Sequence, residues 1–117
     1  MKLALFGQYY QSNTAEIVTK VLTILHSRQV QIVFEAYFLQ ILKEKEIVTT
    51  DFPVFHDCNE LDSSFEALIS IGGDGTILKA ATYIRDKNIP IIGINAGRLG
   101  FLATVQFENI EIQLEKL

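Results

Sequence analysis

Residues 67–94 constrain the fold more than any other part of the chain. An apolar run, Ala67-Leu68-Ile69-Ser70-Ile71, enters the turn Gly72-Gly73-Asp74-Gly75-Thr76. A helical pattern over 76–86 follows, Asn88-Ile89-Pro90 stops it, and a second apolar run occupies 91–94. Short apolar runs rich in isoleucine suit strands buried on both faces. A connection long enough to hold a helix makes the two strands parallel neighbours with a right-handed crossover. The feature is therefore a strand–turn–helix–strand unit, and the chain has to supply a sheet around it.

The other segments fit that frame. Residues 2–6 read as a strand and 7–12 as a loop. A helix capped by Ser12 or Asn13 runs to Ser27, with Glu16 three residues after Asn13 and Ile17, Val18, Val21, Leu22 and Leu25 on one face. A strand over 30–34 and a helix over 37–45 follow. Glu35-Ala36-Tyr37-Phe38 suits either the end of that strand or the start of that helix. Residues 48–59 are irregular, and Pro53 limits them to a loop or a short edge strand. A polar turn covers 60–65. In the helix over 76–86, Ile77, Leu78, Ala81 and Ile84 are expected to face inward. A loop over 95–101, a short strand over 102–105 and the start of an amphipathic helix over 109–117 complete the chain. That helix carries no C-cap signal, so the expectation is an N-terminal domain with a partner domain beyond it. The alternation predicts an α/β fold: a parallel, Rossmann-like sheet with helices on both faces. Ligands of such sheets bind beyond the C-terminal strand ends, where both glycine-bearing loops, after Ile71 and after Ile94, are expected to line one crevice.

Composition narrows the chemistry. The 117 residues suffice for one domain with a real core. A net charge of −4 argues against sequence-independent nucleic-acid binding. The lone Cys58 permits no internal disulfide, no apolar run approaches a membrane span, and Met1 to Phe6 is too short for a signal core. The expected location is the cytoplasm. His56-Asp57-Cys58 invites a metal reading, but consecutive residues cannot easily face one ion and no second Cys/His pair lies at ligand spacing, so no metal site is expected.

The turn at 72–76 carries the chemistry. Its glycines allow close backbone approach, and successive N–H groups at a helix start favour an anion. It lacks the lysine of a P-loop, and the chain holds no G-x-G-x-x-G. Asp74 is the unusual member. A carboxylate beside a phosphate-binding turn has three tasks open to it: holding Mg²⁺, accepting a proton from an attacking hydroxyl, or binding a ribose hydroxyl. The plain alternative is a helix cap. Lys79, one turn on, leans back toward the turn or is a solvated surface residue. Arg98 suits phosphate, and Phe101 suits either a base or the core.

Two motifs together give the chain a family likeness: Gly72-Gly73-Asp74-Gly75-Thr76 with Ile77-Leu78-Lys79-Ala80-Ala81, and Gly93-Ile94-Asn95-Ala96-Gly97-Arg98-Leu99-Gly100-Phe101-Leu102. The chain resembles the N-terminal domain of the NAD kinase family, whose fold is similar to that of phosphofructokinases. The first motif also occurs in diacylglycerol, sphingosine and phosphofructokinase enzymes; the second is much more specific. The resemblance implies phosphoryl transfer from ATP or polyphosphate to the 2′-hydroxyl of the adenosine ribose of NAD, giving NADP, with Mg²⁺ assisting. It implies Asp74 as proton acceptor and NAD contacts at Gly75 and Lys79. It sets Phe101 against the adenine and makes Gly72, Gly73 and Thr76, with Asn95, Arg98, Leu99 and Gly100, the rest of the nucleotide site. It also implies a second, largely β domain with an Asn-Glu or Asn-Asp motif, homodimers or homotetramers, and no activity in this domain alone. Two other readings compete: a lipid or sugar kinase sharing the first motif, and a non-catalytic nucleotide-binding module.

Overall fold

The computed structural model describes residues 1–8 and 13–95. Within them lie five strands and three α-helices: β1 (Lys2–Gly7), α1 (Asn13–Ser27), β2 (Gln31–Glu35), α2 (Ala36–Glu44), β3 (Val54–Phe55), β4 (Ala67–Gly72), α3 (Asp74–Ile84) and β5 (Ile91–Asn95). All pairings are parallel, in the order β3-β2-β1-β4-β5. The expected parallel α/β sheet is present, and the irregular stretch over 48–59 contributes β3 as the short edge strand that Pro53 permits.

The period-2 alternation of β1 explains why helices cover both faces. Leu3 and Leu5 point to one side, where Ile17, Val18, Val21 and Leu25 of α1 and Phe38, Leu39 and Leu42 of α2 pack. Ala4 and Phe6 point to the other, against Ala80 and Ile84 of α3 and the loop residues Leu61, Phe65 and Ile89. Burial of a large aliphatic side chain contributes about 1.5–3 kcal/mol, so neither layer is dispensable. From β1 the chain moves through β2 to β3 in one direction, and from β4 to β5 in the other. Right-handed crossovers then require α1 and α2 on one face and α3 on the opposite one, which is the observed division.

Two boundaries and one helix face differ from the sequence-based expectation. The helix α2 begins directly after β2, with no loop between them. Glu35 ends the strand in extended backbone, and its carboxylate accepts hydrogen bonds from the N–H groups of Tyr37 and Phe38, both at 2.9 Å. This cap resolves the ambiguity at 35–38. The helix α3 starts at Asp74 rather than at Thr76, because Gly73 serves as its N-cap. Its inward face is consequently Thr76, Ala80 and Ile84. Leu78 is 63% exposed and Ala81 is exposed too, against expectation. At 100° per residue, the side chains that follow the anchored Thr76 by four and eight positions set the buried stripe, and 78 and 81 fall off it.

Candidate functional site

The strands β1 and β4 lie side by side, and the chain leaves them in opposite directions. Their C-terminal ends form the topological switch point of the sheet, where α/β folds bind ligands. At that point Gly7 pairs with Ile71, and Gly72 pairs with Asn95 across the β4–β5 boundary. The two glycine motifs therefore begin on adjacent strand ends, as one crevice requires, while the switch point itself lies one strand over, between β1 and β4.

Close packing fixes the turn. Gly72 has φ +157°, and a Cβ there would stand 2.2 Å from Thr76 Oγ1. A Cβ at Gly7 would meet the Phe38 ring at 2.6 Å and the Ile71 carbonyl oxygen at 2.7 Å. The Thr76 hydroxyl is buried and donates to Gln8 Oε1 at 2.8 Å, while accepting from Gly73 N–H at 3.4 Å. The Gln8 N–H in turn donates to the Ile71 carbonyl at 3.1 Å. Thr76, expected among the ligand contacts, thus holds the turn to the end of β1.

Gly75 is different. A Cβ built on it meets nothing within 4 Å. Glycine in the first turn of a helix costs up to about 1 kcal/mol relative to alanine, and packing within the described residues gives no return for that cost. Asp74, the first residue of α3, is partly buried beside it and carries contacts of its own within the fold. The helix start presents N–H groups without acceptors inside the helix, and its dipole favours negative charge.

Beside the turn, over the ends of β1 and β2, lies a cleft of about 410 Å³ lined by Phe6, Gly7, Gln8, Glu35, Tyr37, Ile41, Lys79 and Tyr83. Lys79 is the one sequence-derived site residue that opens onto it. Glu35, Tyr37, Tyr83 and Gln8 were not singled out in the sequence; the cue was a carboxylate at the end of the second strand, where Rossmann-type sheets meet a ribose. The Tyr83 ring packs at 5.2 Å from Phe6 and edge-on at 5.5 Å from Phe55. Burial, and then the Glu35 charge, raise its phenol above the ordinary value.

Of the remaining expected residues, Asn95 lies in β5 through its backbone, and Arg98, Leu99, Gly100 and Phe101 lie outside the described residues. The segment over 56–60 is locally occupied: Asp57 caps a short 3₁₀ turn through Asn59 N–H, and His56 Nδ1 lies 3.1 Å from Glu60 Oε1. Among the described residues no group of three or more His, Cys, Asp or Glu side chains is placed to hold a metal ion.

The family model described as the ATP-NAD kinase N-terminal domain matches residues 3–117. A NAD kinase of Flavobacterium johnsoniae is 52% identical over 98% of this chain and 39% of its own length. One of Christiangramia forsetii is 45% identical over the whole of this chain and 40% of its own. The chain thus spans about two-fifths of these curated relatives. Among solved structures, a yeast NADH kinase complexed with NADH superposes on 99% of the chain with a TM-score of 0.78 at 17% identity, a likeness of fold, and covers 35% of that chain. A NAD kinase from Archaeoglobus fulgidus in complex with ATP gives 0.60 at 25% identity, over 99% of this chain and 36% of that one.

Proposed function

The chain belongs to the NAD kinase family, and from that premise we propose that the protein carrying it phosphorylates the 2′-hydroxyl of the adenosine ribose of NAD, with ATP or polyphosphate as donor. The observation that supports this best is the start of α3: a partly buried carboxylate, Asp74, stands next to Gly75, whose missing side chain leaves open space. A ribose can approach the backbone there. The roles of Gly72 and Gly73 at the phosphates, of Lys79 and Gly75 at NAD, of Phe101 against the adenine, and of Thr76, Asn95, Arg98, Leu99 and Gly100 as the rest of the nucleotide site come from the family resemblance.

In the proposed reaction the 2′-oxygen forms a bond to the terminal phosphorus. The bond from that phosphorus to its bridging oxygen breaks, the shortened donor leaves, and the hydroxyl proton passes to the Asp74 carboxylate. A ribose hydroxyl is a weak acid, so the transfer accompanies bond formation. Most of the acceleration then comes from positioning and charge stabilisation. Mg²⁺ would neutralise phosphate charge. It is commonly held through substrate phosphates and water rather than by a dedicated protein cage, which leaves the Asp74 carboxylate for the proton. The intact protein is further proposed to be a cytoplasmic homo-oligomer acting on small nucleotides; among the described residues no helix is long and apolar enough to cross a membrane.

Steady-state kinetics of Asp74→Asn in the intact protein test the central claim. The expected result is a kcat reduced about 10²- to 10⁴-fold with the KM for NAD nearly unchanged. Turnover close to that of the unsubstituted protein would remove Asp74 from the role of base.

A further inference from the structure

We propose that Gln8 is a positioning residue for the phosphoryl transfer: through the Thr76 hydroxyl it holds the turn at 72–75, and with it Asp74, against the end of β1. The inference rests on the kinase reading above. Gln8 follows β1 directly and bonds the chain on both sides of the turn. Its backbone N–H donates to the carbonyl of Ile71, the residue before Gly72, at 3.1 Å. Its side-chain Oε1 accepts from the hydroxyl of Thr76, the residue after Gly75, at 2.8 Å. Gly72, Gly73, Asp74 and Gly75 lie between these two anchors, and Asp74 is the one among them with a side chain.

Glycines on both sides of Asp74 leave its backbone a wide conformational choice, so the turn needs a hold from outside. That hold passes through Thr76, which is buried. The Thr76 hydroxyl accepts from the Gly73 N–H at 3.4 Å, and the N–H groups of Thr76 and Ile77 donate to the Gly73 carbonyl at 3.1 and 3.2 Å. Gly73, the residue before Asp74, is thereby tied to the helix start at both its N–H and its carbonyl. A hydroxyl has one proton to give. Gly73 only donates to it, so that proton is left for Gln8. The support behind Gln8 is firm: β1 is the central strand, paired with β2 and β4 and buried from Leu3 to Phe6. The side-chain bond thus ties the middle of the sheet to a residue 68 positions away. A base works only within hydrogen-bond reach of the proton it takes, and a misplacement of about 1 Å can cost about 100-fold in rate. The amide is also neutral. It supplies an acceptor without adding negative charge beside a turn expected to meet phosphates.

In the intact protein, Gln8→Leu removes the side-chain acceptor and keeps the backbone bond to Ile71. Gln8 is exposed, so the core is left as it is. The kcat should fall about 10- to 100-fold, with the KM values for NAD and for ATP within about twofold, because the lost contact places the base and does not bind substrate. Unchanged turnover overturns the proposal, and so does a rise in either KM at unchanged kcat, which would make Gln8 a ligand contact. A double-mutant cycle with Thr76→Val tests the route. In the Thr76→Val background, Gln8→Leu should change kcat by less than about twofold, since the bond is already absent. An equal fall in both backgrounds rejects action through Thr76. Amide hydrogen exchange decides the matter even if the protein fails to phosphorylate NAD. In Gln8→Leu, exchange at the Gly73 N–H should speed up about tenfold while the amides of β1 and β4 keep their rates. Unchanged exchange at Gly73 rejects Gln8 as the hold on the turn, whatever becomes of the kinase reading.

Discussion

Gly72 and Gly75 stand three residues apart and are glycines for opposite reasons. At Gly72 a methyl group would collide with the Thr76 hydroxyl at 2.2 Å, and that hydroxyl is itself committed to Gln8. Gly72→Ala should therefore cost about 1–3 kcal/mol of stability. Gly75→Ala, facing open space, should be neutral or stabilise by up to about 1 kcal/mol while weakening NAD binding. Urea denaturation alongside NAD titration of the two variants measures both effects, and equal destabilisation would contradict this account. Tyr83 supplies a pH dependence. Its phenol is raised by burial and by Glu35, so the folded chain keeps that proton at pH values where the unfolded chain has lost it. The folded state then binds more protons, and stability falls as pH climbs past the ordinary tyrosine value of 10.0. Tyr83→Phe should lessen that fall, as read from denaturation midpoints at successive pH values on the alkaline side.

At the scale of elements, α3 shows how a cap sets the phase of a helix. Because Gly73 caps it and Thr76 is anchored, the buried stripe runs through Thr76, Ala80 and Ile84. Ile84→Ala should cost about 2–5 kcal/mol, whereas Leu78→Ser should change stability by no more than about 0.5 kcal/mol; thermal unfolding of the pair checks the phase. The apolar pattern alone favours the opposite result for Leu78. The junction of β2 and α2 makes a related point. Glu35, Ala36, Tyr37 and Phe38 are compatible with either element, and the outcome depends on a carboxylate folding back onto two N–H groups. That local capping bond left no trace in the hydrophobic period.

For the whole molecule, the sheet order matters most. It sets the switch point between β1 and β4, with β5 on one side and the cleft on the other. Since the chain spans about two-fifths of its curated relatives, the 117 residues by themselves are expected to form no NADP from NAD and ATP, as followed by chromatography of the products; NADP formation by them would overturn this. Much of the architecture was legible beforehand. Short apolar runs, a glycine turn and connections of helix length dictate parallel strands, because such runs must be buried on both faces and such connections cannot form hairpins. The glycine–aspartate turn was likewise legible as a candidate site, since its residue types have specific steric and electrostatic consequences. Tertiary structure alone decided the direction of each crossover, the rotation of α3 that exposes Leu78, the tether from the Thr76 hydroxyl to Gln8, and the meeting of Glu35, Tyr37, Lys79 and Tyr83 around one cleft. Those outcomes depend on contacts between residues tens of positions apart, such as Gln8 with Thr76, and a local period carries no information about them.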